Sequence, residues 1–383
     1  MASGCRSDCG RLLYGGYIMS FSAGIIGAGG IAGMGIFGLH DPAVIGKEKI
    51  RASHAGGYES TDSIDLVAIA DLDEERLDRF GEAWEIPPER RYIGHERMLE
   101  SESLDVVSVC TPTDLHHLHV IDAAESPAAP DVIWCEKPID ARVSDARRMI
   151  DACHETETEL VINHSFRFTE KLQQLRTLIR DEDLIGEIQG VTGQFRMELL
   201  RNSTHLIDMI FYLIDAHPQR VSGYINGENE VVDGLDIDVD VDDAGGGGFL
   251  VLDDGTFVSI DCTVPRASSS MMLQLIGSTG KVYLNNDDGE WRYWELADGT
   301  HVERSLPGIE GSWSWDVDYE QAFPNAAHHI EALLRGNTEN QSSGDEALRS
   351  LEVIIGMYAS HHAGGHVALP LARPFEDIRI TSW

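Results

Sequence analysis

The stretch Ser22-Ala-Gly-Ile-Ile-Gly-Ala-Gly-Gly-Ile-Ala-Gly33 decides the fold, because a short apolar run breaks into glycines and then resumes as small and apolar residues. This order predicts a β-strand, a phosphate-binding loop and the start of a helix. The G-x-G-x-x-G/A pattern provides a tight turn, close backbone approach to a pyrophosphate and a small residue for helix packing. Free N–H groups at the helix start face the anion. The pattern therefore predicts a dinucleotide site formed by Gly27, Gly29, Gly30, Ile31 and Ala32.

A second apolar run, residues 64–70, ends directly at Asp71. A carboxylate at this strand end can accept hydrogen bonds from both ribose hydroxyls, and it repels a 2′-phosphate, so it favours NAD over NADP. The alternative interpretation is that Asp71 is only the N-cap of the helix that follows it.

Composition limits the classes of function that this chain can have. Its 383 residues suffice for two domains with cores of their own, and 65 acidic against 29 basic residues give a formal net charge of −36. Such a field repels nucleic acid and anionic membranes, so we expect neither as a partner. The hydrophobic content of 42% argues against disorder. We therefore expect a halophilic protein whose self-repulsion is screened by high ionic strength.

The six cysteines form no C-x-x-C pair and no zinc-finger spacing, which favours a reducing, cytoplasmic compartment. No apolar run approaches membrane length, and the N-terminus lacks the apolar core of a signal peptide. Residues 1–19 are expected to be a disordered or mis-called N-terminal extension.

The order of strands and helices predicts two domains. Strand patterns alternate with helix patterns through residues 20–163, which predicts an α/β, doubly wound parallel sheet of the Rossmann type. The connection at residues 34–58 is longer than a standard first crossover, and we expect an insertion there that is either a lid or a plain loop. Residues 164–383 combine helices with paired strands and turn signals, which predicts an α+β domain with an open, mainly antiparallel sheet.

Two further strands of the first domain end in polar motifs, at the edge where parallel sheets bind ligands. One motif is Thr111-Pro112 with His116, and the other is Glu136-Lys137-Pro138. A lysine at a buried strand end is unusual in a chain with only five lysines. Burial lowers a lysine pKa toward the range in which it can transfer protons. The alternative is a structural lysine that pairs with Glu136 or a helix terminus.

Together these residues resemble the family of glucose-fructose oxidoreductase, inositol dehydrogenase and rhizopine-catabolism proteins, Gfo/Idh/MocA. The likeness extends from residue 22 to about residue 372. It rests on the glycine loop, Asp71, Thr111-Pro112 with His116, Glu136-Lys-Pro138, Asn163 with Arg167, Thr204-His-Leu-Ile-Asp208 and the helix at residues 345–355. The resemblance implies a Rossmann domain, a C-terminal domain whose open sheet forms a homodimer or homotetramer, and NAD(P)-dependent oxidation of a sugar-like hydroxyl.

The resemblance also implies roles for individual residues. Lys137 is expected to accept the proton of the reacting hydroxyl, and His205 to be a second acid/base or a hydroxyl ligand. A lone histidine on an apolar helix face is otherwise more often structural. The nicotinamide half of the cofactor is expected to contact Thr111, Pro112 and His116, with Glu136 and Pro138 orienting nearby groups.

The chain departs from the family pattern at Arg201, where many members have an aspartate four residues before the histidine. An arginine there suits an anion, so we expect a substrate carboxylate or phosphate held by Arg201 with Arg167 or Arg196. The expected substrate-binding residues are Asn163, Arg167, Arg201 and Thr204.

The sequence as a whole predicts an NAD-dependent dehydrogenase or reductase that acts on a secondary hydroxyl or ketone of a sugar, cyclitol or sugar derivative. Two alternatives stay open: an NAD-dependent, redox-neutral glycosidase or lyase, and a sensor that binds dinucleotide and sugar without chemistry. Histidine clusters suggest a metal, but no supporting carboxylate or cysteine spacing accompanies them, so we expect none. The Trp313 and Trp315 pair is expected to pack in a loop rather than to stack on a sugar.

Overall fold

The computed structural model describes residues 20–34, 50–227 and 240–381. The expected N-terminal extension and almost all of the expected insertion after the glycine loop lie outside these residues. No helix in the described part of the chain is both long enough and apolar enough to span a bilayer.

The first sheet is fully parallel and has six strands in the order β3-β2-β1-β4-β5-β6, the doubly wound order predicted from the sequence. Its strands are β1 (Phe21–Ile26), β2 (Ile64–Asp71), β3 (Arg91–Ile93), β4 (Val106–Val109), β5 (Val132–Cys135) and β6 (Glu159–Ile162). Its helices are α1 (His54–Glu59), α2 (Glu74–Ala83), α3 (His95–Ser101), α4 (His116–Ala124) and α5 (Val143–Thr156). All residues of β4 and β5 are buried, because helices cover both faces of the sheet.

The second sheet has nine strands in the order β15-β14-β13-β12-β7-β11-β10-β8-β16. They are β7 (Ile188–Arg196), β8 (Pro218–Ile225), β10 (Gly246–Leu252), β11 (Phe257–Val264), β12 (Met272–Gly277), β13 (Gly280–Asn285), β14 (Glu290–Ala297), β15 (Thr300–Arg304) and β16 (Val367–Ala368). A separate two-stranded ribbon pairs β9 (Asp240–Asp242) with β17 (Arg379–Thr381). Neighbouring strands of the nine-stranded sheet are antiparallel except β7 and β11, which run parallel.

Four helices accompany this sheet: α6 (Glu170–Arg180), α7 (Thr204–Leu213), α8 (Ala322–Leu334) and α9 (Gly344–Ala363). Helix α9 packs on β8 and β10, and α7 packs on β7, so one face of the sheet is buried. The opposite face leaves several large apolar side chains exposed, among them Tyr224, Phe249, Phe257, Ile276 and Leu296. Phe249 and Phe257 stack on each other with ring centroids 5.1 Å apart.

Helix α8 belongs to the C-terminal half of the sequence but packs on the first sheet. Its Phe323 lies 6.1 Å from the Trp134 ring on β5 and 5.9 Å from the His54 ring on α1. The buried residues of α8 therefore share one apolar core with β1, β5 and α1. This packing fixes the second half of the chain against the ligand-binding edge of the first sheet.

Candidate active site

The glycine loop has the geometry that its sequence predicts. Gly27 follows β1 with φ +95°, and a Cβ atom there would lie 2.9 Å from the Cys110 carbonyl oxygen, so only glycine fits. At Gly29 a Cβ atom would meet nothing within 4 Å, because this residue faces an open cleft. Ala32 is fully buried in the helical turn Gly30–Met34. The loop thus presents bare backbone to the cleft, which fits a bound pyrophosphate.

Asp71 lies at the end of β2 beside this loop. Its Oδ2 accepts the Ala28 N–H at 2.7 Å and its Oδ1 accepts the Asp73 N–H at 3.0 Å. The alternative that Asp71 is the N-cap of the next helix is wrong, because the cap of α2 is Asp73, whose side chain accepts the Arg76 N–H. The Arg76 guanidinium lies 3.6 Å from Asp71 Oδ2.

The cleft beside the glycine loop has a volume of about 780 Å³. Gly27, Gly29 and Asp71 line it, together with Thr111 and Pro112 from the loop after β4. Thr111 and Pro112 also line a second cavity of about 430 Å³, so the two spaces adjoin at this loop. A dinucleotide in the cleft can therefore place one end at the mouth of the second cavity, and the residues present fit that group.

The second cavity, called the catalytic cavity below, lies between the two halves of the chain. Nine of the residues that the sequence predicts for catalysis, cofactor binding or substrate binding line it: Ile31, Thr111, Pro112, His116, Glu136, Lys137, Pro138, Arg201 and His205. The first sheet and the C-terminal half both contribute walls. The structure therefore brings together residues that are up to 174 positions apart, from Ile31 to His205.

Lys137 follows β5 and its Nζ donates a hydrogen bond to the Arg201 carbonyl oxygen at 2.8 Å. Burial lowers the pKa of this lysine to about 8, and the positive charges of Arg196 and Arg201 act in the same direction. The carboxylates of Glu136 and Asp243 oppose the shift without cancelling it. A substantial fraction of the amine is therefore neutral near pH 8 and able to accept a proton.

His205 lies near the start of α7, edge-on to the Phe166 ring at 5.5 Å. Burial lowers its pKa well below the usual value, and the charge of Lys137 adds to the effect. Within the described residues, its Nδ1 is buried without a hydrogen-bond partner. A neutral imidazole with an unsatisfied nitrogen at a cavity wall is suited to hydrogen-bond a substrate hydroxyl.

A buried polar network lies behind Lys137. Glu136 Oε1 accepts the Asn163 side-chain N–H at 2.5 Å and lies 3.1 Å from His54 Nε2, while His54 Nδ1 lies 2.9 Å from the Ser108 hydroxyl. Burial raises the pKa of Glu136, but these hydrogen bonds and the charge of Lys137 outweigh it, so the pKa lies below its usual value. Glu136 is therefore an oriented anion beside the lysine. Sequence analysis did not identify His54, because it is a lone histidine on a six-residue helix and belongs to no motif.

Three of the predicted substrate ligands do not line the catalytic cavity. Arg167 is 1% exposed and forms a bidentate ion pair with Asp208, with both N···O distances at 2.8 Å. Asn163 is buried and donates to Glu136. Thr204 is buried as the first residue of α7. These three residues support the site from behind.

Arg201 lies in the helical turn before α7, and its backbone is held by a carboxylate from elsewhere in the chain. The Asp243 side chain accepts the N–H groups of Leu200 and Arg201, each at 2.9 Å. Asp243 also raises the pKa of Lys137. The loop that precedes β10 therefore holds the turn before His205 through a carboxylate. Only the folded chain brings Asp243 to this turn.

Trp313 and His116 are buried and held by contacts within the protein. Trp313 is 3% exposed and stacks on the Trp291 ring at 5.3 Å, as expected for a packing role. The ring nitrogens of His116 lie 3.0 Å from the carbonyl oxygens of Pro138 and Thr111, so this residue ties the two strand-end loops together. Sequence analysis missed Arg266 and Tyr319 as walls of the catalytic cavity, because neither belongs to a motif.

Comparison with known proteins also indicates a dinucleotide-binding oxidoreductase. Residues 40–164 match the model of the GFO_IDH_MocA family, described as an oxidoreductase family with an NAD-binding Rossmann fold. D-apiose dehydrogenase from Paraburkholderia graminis is 25% identical over 355 residues, which covers 85% of this chain and 89% of the relative. D-xylose 1-dehydrogenase [NADP(+)] from Haloarcula marismortui is 28% identical over 295 residues, which covers 70% of this chain and 76% of the relative.

Solved structures share the fold over nearly the whole chain. The WlbA dehydrogenase from Bordetella pertussis, solved in complex with NADH and UDP-GlcNAcA, superposes with a TM-score of 0.73 at 21% identity. The match covers 92% of this chain and 99% of that one. The parallel six-stranded sheet followed by the large, mainly antiparallel sheet is therefore an architecture already seen in crystals.

Proposed function

Because the chain belongs to the Gfo/Idh/MocA family of oxidoreductases, whose members act on CH–OH groups, we propose that it is an NAD-dependent dehydrogenase or reductase. The proposed reaction interconverts a secondary hydroxyl and a ketone on a sugar, cyclitol or sugar derivative. The named relatives are sugar and inositol dehydrogenases, and this supports the substrate class.

One observation carries the proposal: Lys137, with its pKa lowered to about 8, lines the catalytic cavity, which adjoins the dinucleotide cleft at Thr111 and Pro112. A basic amine at this junction can reach a hydroxyl whose carbon faces the cofactor end. A lysine that served only as an ion-pair partner would keep a high pKa, because a neighbouring anion favours its charged form.

We assign a different part of the reaction to each residue of the cavity. When bound, the nicotinamide accepts or returns the hydride of the reacting carbon. Lys137 accepts the hydroxyl proton in the oxidation direction and returns it in reduction. His205 holds a substrate hydroxyl, and Glu136 with its partners His54 and Asn163 keeps the lysine backbone in place. Holding these groups in one geometry supplies much of the rate enhancement.

The two alternative functions make different demands on the site. A redox-neutral lyase needs the same hydride transfer twice, so it forms product without net NADH. A sensor needs no basic amine, and the lowered pKa of Lys137 speaks against it.

The proposal is tested by NADH absorbance in molar potassium chloride, with NAD and a panel of sugars, cyclitols, uronic acids and sugar nucleotides. We expect turnover with one group of substrates. Product formation without NADH accumulation identifies the lyase instead. Tight cofactor binding with no product from any compound identifies the sensor.

Cofactor preference provides a second prediction, at Asp71. We expect Asp71→Ser to narrow the preference for NAD over NADP by about tenfold or more, because the carboxylate that repels a 2′-phosphate is gone while Arg76 remains beside it. The measurement is the ratio of kcat/KM for the two cofactors, which cancels any general damage to the loop.

The control is Arg76→Gln in the Asp71→Ser background, which should move the ratio back toward NAD because no cation remains to hold a 2′-phosphate. An unaltered ratio of the two kcat/KM values in Asp71→Ser would show that this carboxylate does not determine the cofactor preference.

We propose that the chain forms a homodimer or homotetramer through the open face of its second sheet. The exposed aromatic pair Phe249 and Phe257 and the neighbouring Tyr224 support this, because large apolar patches on a sheet face mark interaction surfaces. Its salt adaptation and cytoplasmic location stay predictions from composition.

A further inference from the structure

The charge inside the catalytic cavity is opposite to the charge of the whole protein. In a chain with a formal net charge of −36, the cavity is lined by Lys137, Arg196, Arg201 and Arg266. The one carboxylate among its lining residues, Glu136, already bonds to Asn163 and His54. A local positive field in an acidic protein draws anions to that point.

The charges of the three arginine side chains of the cavity are not neutralised by ion pairs in the described part of the chain, although the Arg196 guanidinium lies 4.8 Å from the centre of the Phe195 ring. Within the described residues, Arg196, Arg201 and Arg266 have no carboxylate within the 4.0 Å limit of an ion pair, whereas Arg147 and Arg167 each pair with two. The Arg196 Nε is also buried without a hydrogen-bond partner. A buried donor with nothing to bind is unfavourable unless a ligand satisfies it.

The carboxylates that act on Arg196 electrostatically have other partners. Asp287 accepts the Met271 N–H at 2.7 Å with one oxygen and the Trp315 indole N–H at 3.1 Å with the other. Glu198 accepts the Asn202 side-chain N–H at 2.7 Å. Burial lowers the pKa of Arg196, and the neighbouring charge of Arg266 lowers it further, so the two guanidinium groups lie close enough to repel each other.

We propose that the substrate carries an oxyanion, a carboxylate or a phosphate, that binds between Arg196 and Arg266 while its reacting hydroxyl lies at Lys137. This proposal rests on the dehydrogenase function and adds the substrate class. Two guanidinium groups on the wall of one cavity can bind the paired oxygens of such a group, and their mutual repulsion falls when it binds. The cavity volume of about 430 Å³ accommodates a sugar acid or a sugar phosphate.

The test compares matched pairs of compounds that differ in charge: glucuronate with glucose, galacturonate with galactose, and glucose 6-phosphate with glucose. Binding to the NAD-loaded protein is measured by calorimetry, and turnover is measured by NADH absorbance. We expect the wild type to prefer one of the charged partners. Arg196→Gln and Arg266→Gln should each reduce the charged-to-neutral ratio by about 10- to 100-fold. The uronate and phosphate arms identify which oxyanion is bound.

Two controls accompany these variants. Arg220→Gln removes an exposed arginine on β8, outside the cavity, and should leave the ratio unchanged. Arg196→Lys keeps the charge but not the planar fork, so its ratio should lie between those of the wild type and Arg196→Gln. Retained NAD affinity shows that each variant is folded.

The outcomes separate the two proposals. A charged-to-neutral ratio that is the same in the wild type, Arg196→Gln and Arg266→Gln overturns the anion site, whether or not NADH forms. Charge-selective binding that both variants abolish, without any NADH, keeps the anion site and overturns the dehydrogenase. Charge-selective binding and turnover that both fall in the variants support the two proposals together.

Discussion

Replacing Lys137 with methionine is expected to lower kcat by a factor on the order of 10³, because general-base catalysis by a positioned group typically contributes 10²- to 10⁴-fold. Methionine fills a similar volume but has no proton acceptor. NAD affinity should persist, since Gly27, Gly29 and Asp71 lie in the neighbouring cleft. The measurement is steady-state NADH formation with the best substrate, together with a separate titration of NAD binding.

The pH profile makes this prediction specific to proton transfer. The pKa of Lys137 is about 8, so kcat/KM for oxidation should rise as pH increases through 8 and then level off as the neutral amine becomes dominant. The reduction direction needs the ammonium form, so its rate should fall over the same range. In Lys137→Met the rise near pH 8 should disappear from the residual activity.

Lys281→Met is the matched control. Lys281 lies on β13, where its Nζ is 5.0 Å from the Trp294 ring and outside both cavities, so its loss should leave kcat unchanged.

The free energy of unfolding gives a further check on the pKa of Lys137. Because the folded protein holds Lys137 with a pKa below that of the unfolded chain, the buried charge destabilises the fold at neutral pH, and this penalty disappears as pH rises from about 8 to about 10.5. If Lys137→Met retains the rise of kcat/KM for oxidation near pH 8, another residue is the base.

Local patterns in the sequence predicted the first domain well. The glycines at 27 and 29, the buried strands that end at Asp71 and Cys135, and the alternation with helices depend on short-range order, so the sheet is parallel and doubly wound as predicted. Three glycines, 246–248, open strand β10, which pairs with β11 in a hairpin. Turn and periodicity signals of this kind act over a few residues and survive without tertiary context.

Contacts between elements far apart in the chain could not be predicted from such local patterns. The parallel contact between β7 and β11 joins strands about 70 residues apart, and nothing in either strand specifies its partner. The packing of Phe323 on Trp134 likewise depends on where α8 returns in space. Arg266 reaches the catalytic cavity only because the turn after β11 lies beside it, so its role was invisible to motif analysis.

Arg167 shows how a distant partner determines the surroundings of a predicted ligand. The sequence offered a cation four residues after Asn163, and we expected it to help Arg201 hold a substrate anion. The partner that determines its surroundings, Asp208, lies 41 positions away on α7. Once the helix packs, the guanidinium donates hydrogen bonds to Asp208, Glu346 and the Gln341 carbonyl oxygen.

The ion pair between Arg167 and Asp208 carries the largest expected effect on stability. Both residues are 1% exposed, so Arg167→Met leaves the Asp208 carboxylate buried without its bidentate partner. Breaking a buried pair from one side typically costs about 3–5 kcal/mol of unfolding free energy. The measurement is the urea midpoint at neutral pH, in low and in molar salt.

The chain contains a matched pair at its surface. Arg292 and Glu303 form the same bidentate contact, at 2.8 and 2.9 Å, but their side chains are 44% and 50% exposed. Arg292→Met should shift the urea midpoint much less than Arg167→Met, and this shift should vanish in molar salt, because solvent and ions screen an exposed pair. Both variants break a bidentate contact, but Arg167 also bonds to Glu346 and to the Gln341 carbonyl oxygen, so the difference between the variants reflects burial together with these additional bonds.

The double variant Arg167→Met with Asp208→Leu should recover much of the loss, since the buried Asp208 charge is removed and the carboxylate that still loses its partner, Glu346, is 29% exposed. KM per folded enzyme should stay near the wild-type value in this double variant, because neither side chain lines the catalytic cavity. An Arg167→Met protein with an unchanged urea midpoint and a raised KM would return Arg167 to the substrate site. A loss of stability that the double variant reverses instead assigns Arg167 to the support of α7, and through it to the position of His205.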